Sequence, residues 1–251
     1  MSQVAHPLGQ EYWNTKIVDI IKQGYWSCFL CYNQSMIDKN NMLQNAEKFV
    51  YDKLHTDTSG HDWWHVVRVR NTARELAEKE GADQFICELA ALLHDMADDK
   101  LNANPEQALT ELKVWLMQQE LSEEAIDHII QIITTMSFKG SGQSVPPTLE
   151  GKIVQDADRL DAIGAIGIAR CMVYSGSKGR PIHDPSKVAR DNPSLEDYRN
   201  GQDTAIMHFY EKLLKLKELM NTAYARKMAE HRHKVLEEFL TEFYAEWDGK
   251  L

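Results

Sequence analysis

The sequence predicts an all-α fold: a helical bundle over residues 42–251, preceded by an appendage over residues 1–41. Three observations carry that expectation. Apolar residues recur at three- and four-residue spacings, as in Leu43, Ala46, Phe49, Val50 and Leu54. The segments with this pattern are bounded by cap and breaker residues such as Asp62, Gly81 and Asn104-Pro105. No run of alternating polar and apolar residues marks a sheet, and no internal repeat is present.

Residues 1–41 are rich in aromatics (Tyr12, Trp13, Tyr25, Trp26, Phe29, Tyr32) without clean periodicity, and read as a partner surface or a poorly ordered segment. A helix from Met42 ends at the polar break Thr56-Asp57-Thr58-Ser59-Gly60. The second helix starts near Asp62 and stops at the Gly81 cap signal, and the third covers Asp83 to Asp99. Asn104 followed by Pro105 opens a fourth, which ends near Gln119, and Ser122-Glu123-Glu124 opens a fifth, which stops before Gly140-Ser141-Gly142. Pro146-Pro147-Thr148 leads into a sixth, expected to run unbroken from Leu149 to Tyr174, with Gly164, Ala165 and Gly167 permitting close helix approach. After a polar loop, Asp203 to Trp247 reads as two helices broken near Asn221.

Composition narrows the function. A net charge of −10 argues against a nucleic-acid-binding surface, where neutralising phosphates dominates affinity. No stretch reaches the ~18–20 apolar residues that span a bilayer, and the N-terminus lacks a signal-peptide layout, so no membrane association and a cytoplasmic location are expected. The four cysteines, Cys28, Cys31, Cys87 and Cys171, are too scattered for a disulfide framework. Cys28 and Cys31 have C-x-x-C spacing but no second pair. From Arg159 to Arg190, six basic residues (Arg159, Arg170, Lys178, Arg180, Lys187, Arg190) stand against Asp161 and Asp184, a local charge of +4 suited to a small anionic ligand.

The chemistry concentrates at His94-Asp95. The pair closes the apolar run Phe85 to Leu93, where an ionised carboxylate costs several kcal/mol unless it is paired or coordinated. It reads equally as a metal site or as a satisfied core pair. The same dipeptide occurs at His61-Asp62, where Asp62 reads as an N-cap, and at His183-Asp184, where Pro185 marks a turn. His65, on the preceding helix, adds a second imidazole. Gln155-Asp156-Ala157-Asp158-Arg159-Leu160-Asp161 brings three carboxylates onto an otherwise apolar helix, with Asp158 and Asp161 sharing a face. One of these two would complete a set of two His and two Asp ligands. Such a set leaves positions open on an octahedral ion (Mn²⁺, Mg²⁺, Fe²⁺, Co²⁺ or Ni²⁺), where water is activated and phosphate screened. Asp98 and Asp99 lie one turn beyond His94 and Asp95. Each either orients and deprotonates that water or ends the helix in solvent.

His65, His94-Asp95 and Asp158 resemble the H…HD…D signature of the HD-domain metal-dependent phosphohydrolases. Ser59 to His65, Leu93 to Lys100 and Gln155 to Ala165 are similar to a bacterial subgroup that includes Mn-dependent deoxynucleoside triphosphate pyrophosphohydrolases. The resemblance covers about Met42 to Trp247. It implies an HD-domain bundle holding one divalent metal, manganese first, with His65, His94, Asp95 and Asp158 as ligands. Asp98 and Asp99 would activate water, and His61 and Asp161 would support the ligands. Ala157 to Leu160 resembles a motif of guanosine tetraphosphate hydrolases in which the Asp binds metal. Those enzymes carry Asn where this chain has Ala162, which turns the expectation away from that substrate. Two-metal relatives take extra His ligands from the helix before the last Asp; here Met136 stands in that region and His128 two turns earlier, so one metal is expected.

The expected substrate is a small phosphate ester, a (deoxy)nucleoside triphosphate cleaved to pyrophosphate by hydroxide on the metal. Arg68, Lys100, Arg159, Lys178 and Arg180 are candidates for its phosphates, with His208 and Lys212 as weaker ones. A phosphomonoesterase, a phosphodiesterase or a non-catalytic metal or nucleotide sensor would use the same ligands, and a homodimer is compatible with the sequence.

Overall fold

The structure, a computed structural model, describes residues 25–57, 62–98, 101–136, 145–190 and 203–251, with side chains from Asp38 onward. The described residues are helices and connections without strands, the all-α class read from the sequence. None of their helices is long and apolar enough to cross a membrane. The chain divides into two units, Met1–Asn45 and Ala46–Leu251.

Helix α1 (Tyr25–Leu54) starts well before the Met42 expected from periodicity, so it runs through the boundary placed at 41/42. In the second unit its residues Ala46, Val50 and Leu54 are buried, and Phe49 stacks on Trp115 at 4.7 Å. Helix α2 (Trp63–Glu80) begins at Asp62, whose carboxylate accepts the His65 backbone N–H at 2.8 Å. It ends at Gly81, left-handed at φ 75°, as its N-cap and C-cap signals suggest. Its inward stripe is His65, Val66, Val69, Ala73, Leu76 and Ala77, so the first inward position is a histidine.

Helix α3 (Gln84–Leu93) is the central element, packed against α2, α5 (Glu123–Met136) and α6 (Leu149–Asp161). Residues Ile86 to Leu93 are all buried; each fully buried leucine contributes about 2 kcal/mol relative to exposure. Glu88 is the one carboxylate among them. Arg70 donates to it at 2.8 Å and also bonds Glu47. The expected helix to Asp99 stops short: after Leu93 the chain tightens into a 3-10 turn over His94–Ala97, and Asp98 is extended at ψ 141°. Helix α4 (Pro105–Met117) opens on the Asn104 cap, and α5 buries Ile126, Ile129, Ile132, Ile133 and Met136.

The expected single helix from Leu149 to Tyr174 is two helices. α6 ends at Asp161, and α7 (Gly164–Ser177) starts after Ala162-Ile163 with Gly164 at φ 74°. A β-carbon on Gly167 would stand 2.3 Å from the Ala162 carbonyl oxygen, so α7 folds back tightly over the break. The last region breaks near Asn221, as its sequence suggests. Before the break it holds the short α8 (Ala205–Glu211) and a 3-10 segment, Leu213–Leu219; after it runs α9 (Ala223–Trp247).

Candidate metal centre

Helix α6 sorts the three carboxylates of its Gln155–Asp161 segment onto two sides: residues two apart on a helix point in nearly opposite directions and residues three apart share a face, so Asp158 and Asp161 both reach His65 while Asp156 points away. Asp156, fully buried, accepts the backbone N–H groups of Asn221 and Thr222 and the Thr222 hydroxyl at 2.8–3.1 Å, tying α6 to the start of α9. Burial raises its pKa against the opposing pull of those donors. Asp158 turns toward α2 and the 3-10 turn. Asp161 turns toward α2 and α7.

Four side chains meet where α2, the 3-10 turn and α6 converge. His65 Nε2 lies 3.3 Å from His94 Nε2, 3.4 Å from an Asp95 carboxylate oxygen and 3.5 Å from Asp158 Oδ1. His94 Nε2 is 3.2 Å from Asp95 Oδ1 and 3.9 Å from Asp158 Oδ1. Each imidazole uses its other nitrogen elsewhere. His94 Nδ1 donates to the Ala91 carbonyl at 2.7 Å, and His65 Nδ1 donates to Asp161 Oδ2 at 2.7 Å, an assignment that follows from the acceptors. Both Nε2 lone pairs therefore face the same space, where two acceptors and two carboxylates repel unless a cation or a proton lies between them.

That donor set fits a divalent cation. Cis ligands of an octahedral ion with bonds of about 2.1 Å lie about 3.0 Å apart, close to the separations here. His65, His94 and Asp95 each offer a donor atom within 4.8 Å of the others and are buried. The Asp158 side chain is 40% exposed, whereas those of His65, His94 and Asp95 are buried.

Electrostatics follow the geometry. Burial alone would lower the His65 pKa, but the hydrogen bonds to Asp161 and Asp95 outweigh it and carry it to about 9. Burial would raise the Asp158 pKa, whereas the electrostatic pull of the neighbouring His94 and His65 lowers it. Asp161 is held well below the usual carboxylate range: burial opposes ionisation, but His65, Arg68 and Arg170 all favour it. Arg68 grips Asp161 with Nε at 2.7 Å and a second nitrogen at 3.0 Å, and Arg170 reaches it at 2.9 Å.

The structure thus brings His65, His94, Asp95 and Asp158 together, with Asp161 behind His65. Arg68, expected at phosphate, has its guanidinium on Asp161. Arg159 bonds the Leu219 carbonyl, on the side of α6 that meets the end of the 3-10 segment. Asp98 follows the 3-10 turn, its backbone carbonyl held by Asn102 at 2.9 Å. Lys178 and Arg180 both lie over the Tyr174 ring, at 5.6 and 5.7 Å. His208 and Lys212 sit one turn apart at the end of α8, half-buried. His61, Asp99 and Lys100, like the side chains of Cys28 and Cys31, lie outside the described residues.

Two of the six basic residues behind the local charge of +4 are held in ion pairs. Arg170 pairs with Asp161, and Arg190 pairs with Asp203 and Glu211, which lie beyond the counted segment. Sequence reasoning missed Arg170 as part of the centre, because its partner lies across a break that the helical pattern conceals. His128 bonds the Thr148 hydroxyl at 3.1 Å and takes no part in the cluster.

The family model described as HD domain matches residues 63–163. The uncharacterized protein YpgQ of Bacillus subtilis is 40% identical over 212 residues, 82% of this chain and 96% of that protein. Its crystal structure in complex with ADP is similar at a TM-score of 0.69, with 36% identity over 83% of this chain and 96% of that one. An HD-superfamily hydrolase from Bacillus thuringiensis gives a TM-score of 0.68, with 44% identity over 84% of this chain and 98% of its own. A symmetrical bis(5'-nucleosyl)-tetraphosphatase of Bacillus subtilis is 30% identical over 119 residues, 40% of this chain and 61% of that protein.

Proposed function

The chain belongs to the HD-domain family, and we propose that it hydrolyses (deoxy)nucleoside triphosphates to monophosphate and pyrophosphate with one divalent cation, manganese first. The observation that carries this reading is the cluster itself: two Nε2 atoms and two carboxylates facing one space, in which, among the four described side chains, Asp158 is the exposed one. A structural ion would be closed in by its ligands, whereas a catalytic one keeps an exposed side for water and substrate.

His65, His94, Asp95 and Asp158 would hold the ion. When bound, such a cation lowers the pKa of water and neutralises charge on phosphate oxygens. In the proposed reaction water attacks the α-phosphorus, the bond to the bridging oxygen breaks, and pyrophosphate leaves. Asp98, at the exit of the 3-10 turn, takes the proton from that water, with Asp99 in the same role or supporting it. Lys178 and Arg180 receive the departing phosphates, with His208, Lys212 and Lys100 as further candidates. Support for a nucleotide comes from YpgQ, crystallised with ADP, and from the similarity to a symmetrical bis(5'-nucleosyl)-tetraphosphatase.

The test is to incubate the purified chain with canonical nucleotides and Mn²⁺, Mg²⁺ or Co²⁺ and to separate the products. Pyrophosphate with a nucleoside monophosphate is expected. Orthophosphate would replace this reading by a phosphatase, and intact triphosphates with every metal would end it.

A further inference from the structure

Asp161 closes α6 with a carboxylate that three donors share. Oδ2 receives His65 Nδ1 at 2.7 Å, Arg68 at 3.0 Å and Arg170 at 2.9 Å, while Oδ1 receives Arg68 Nε at 2.7 Å. A carboxylate offers about four acceptor directions, so this one is saturated and its rotation is fixed. Arg170 reaches it only because of the chain break. In one unbroken helix, nine residues would separate Arg170 from Asp161 by about 13 Å along the axis. The turn at Ala162-Ile163, the positive φ of Gly164 and the bare α-carbon of Gly167 against the Ala162 carbonyl fold α7 back and deliver the guanidinium.

We propose that Arg170 is a positioning residue of the metal centre: with Arg68 it locks the Asp161 carboxylate where it aims His65 Nε2 at His94, Asp95 and Asp158. The lock acts on orientation. A histidine ligand held through its second nitrogen by a fixed carboxylate presents its lone pair to the ion without first being ordered, and losing such support typically costs 10–100-fold in metal affinity. The inference rests on reading the four-residue cluster as a divalent-cation site.

Charge alone and positioning predict opposite signs. Arg170 is a cation beside the cluster, so simple repulsion makes its removal tighten Mn²⁺ binding, whereas loss of the lock weakens it. Free Mn²⁺ measured by electron paramagnetic resonance during titration of the full chain reads the affinity without any substrate. Arg170→Met is expected to weaken binding about 10-fold or more, with Arg170→Lys recovering part through its single donor. The melting temperature of each variant in chelator checks that the fold is retained. In an Asp161→Asn background, Arg170→Met should add little further loss, because the two act in series. Affinity that is unchanged or tighter in Arg170→Met, or losses that simply add, would overturn the positioning role and leave the metal reading intact. A wild-type chain that binds no divalent cation would overturn both.

Discussion

At the residue scale, two carboxylates two positions apart on α6 have opposite assignments. Asp156 accepts backbone donors from the start of α9, and Asp158 faces the cluster. Asp156→Ala leaves buried N–H groups without an acceptor and should destabilise the chain by about 2–4 kcal/mol in urea unfolding. Asp158→Asn removes a carboxylate whose charge is favoured in the metal-free chain, so it should lower the melting temperature in chelator somewhat, and it should weaken Mn²⁺ binding by more than about 100-fold. Mn²⁺ affinity unchanged in Asp158→Asn would contradict its assignment as a ligand. His65 sets the pH dependence. Its folded pKa of about 9 lies above the ordinary 6.5, so the stability it contributes to the metal-free chain is fully present below pH 6.5 and is lost as pH rises through 9. Melting curves in chelator should therefore fall across that interval. Mn²⁺ affinity should climb over the same range, because proton and ion compete for Nε2.

At the element scale, the break between α6 and α7 was the feature least legible in the sequence. Gly164, Ala165 and Gly167 continue an acceptable helical pattern, and periodicity cannot register a reversal that a positive φ at one glycine produces. The His94-Asp95 turn was hidden for a related reason: the apolar pattern of α3 runs smoothly into it, and only backbone geometry distinguishes a 3-10 turn from one more helical turn. Caps read more faithfully, since Asp62, Gly81 and Asn104 act through their own side chains or backbone freedom and need no distant partner. The glycines of α7 give a graded prediction. Gly167→Ala meets backbone atoms at 2.3 and 2.4 Å that cannot yield, and should cost about 1–3 kcal/mol while weakening Mn²⁺ binding through Arg170. Gly176→Ala meets nothing within 4 Å and should stabilise by about 0.5–1 kcal/mol, with affinity unchanged. Urea curves and Mn²⁺ titrations of the pair check both.

At the scale of the whole molecule, the proposed ligands come from three places along the chain, at residues 65, 94–95 and 158, and the proposed support by Asp161 enlists a fourth at residue 170. A motif reading could find the first three, because chemistry restricts which residue types can serve there. It could not find the fourth, because an arginine in a basic segment has no spacing signature. An ion that joins these segments only in the folded state must stabilise that state. At a hundredfold excess over its dissociation constant the gain is about 2.7 kcal/mol, a rise of roughly 5–10 °C in melting temperature for a chain of this size, reversed by chelator. A melting temperature indifferent to Mn²⁺ would separate the cluster from the metal.

The two sides of α6 have a consequence for how the protein breathes. One helix carries the anchor of α9 on one side and, on the other, a proposed metal ligand and the support for a second, so it cannot rotate to release one without straining the others. Opening the centre and fraying the start of α9 then become a single event, and the amide hydrogens of Asn221 and Thr222, remote in sequence from every ligand, should exchange with solvent more slowly once the ion is in place.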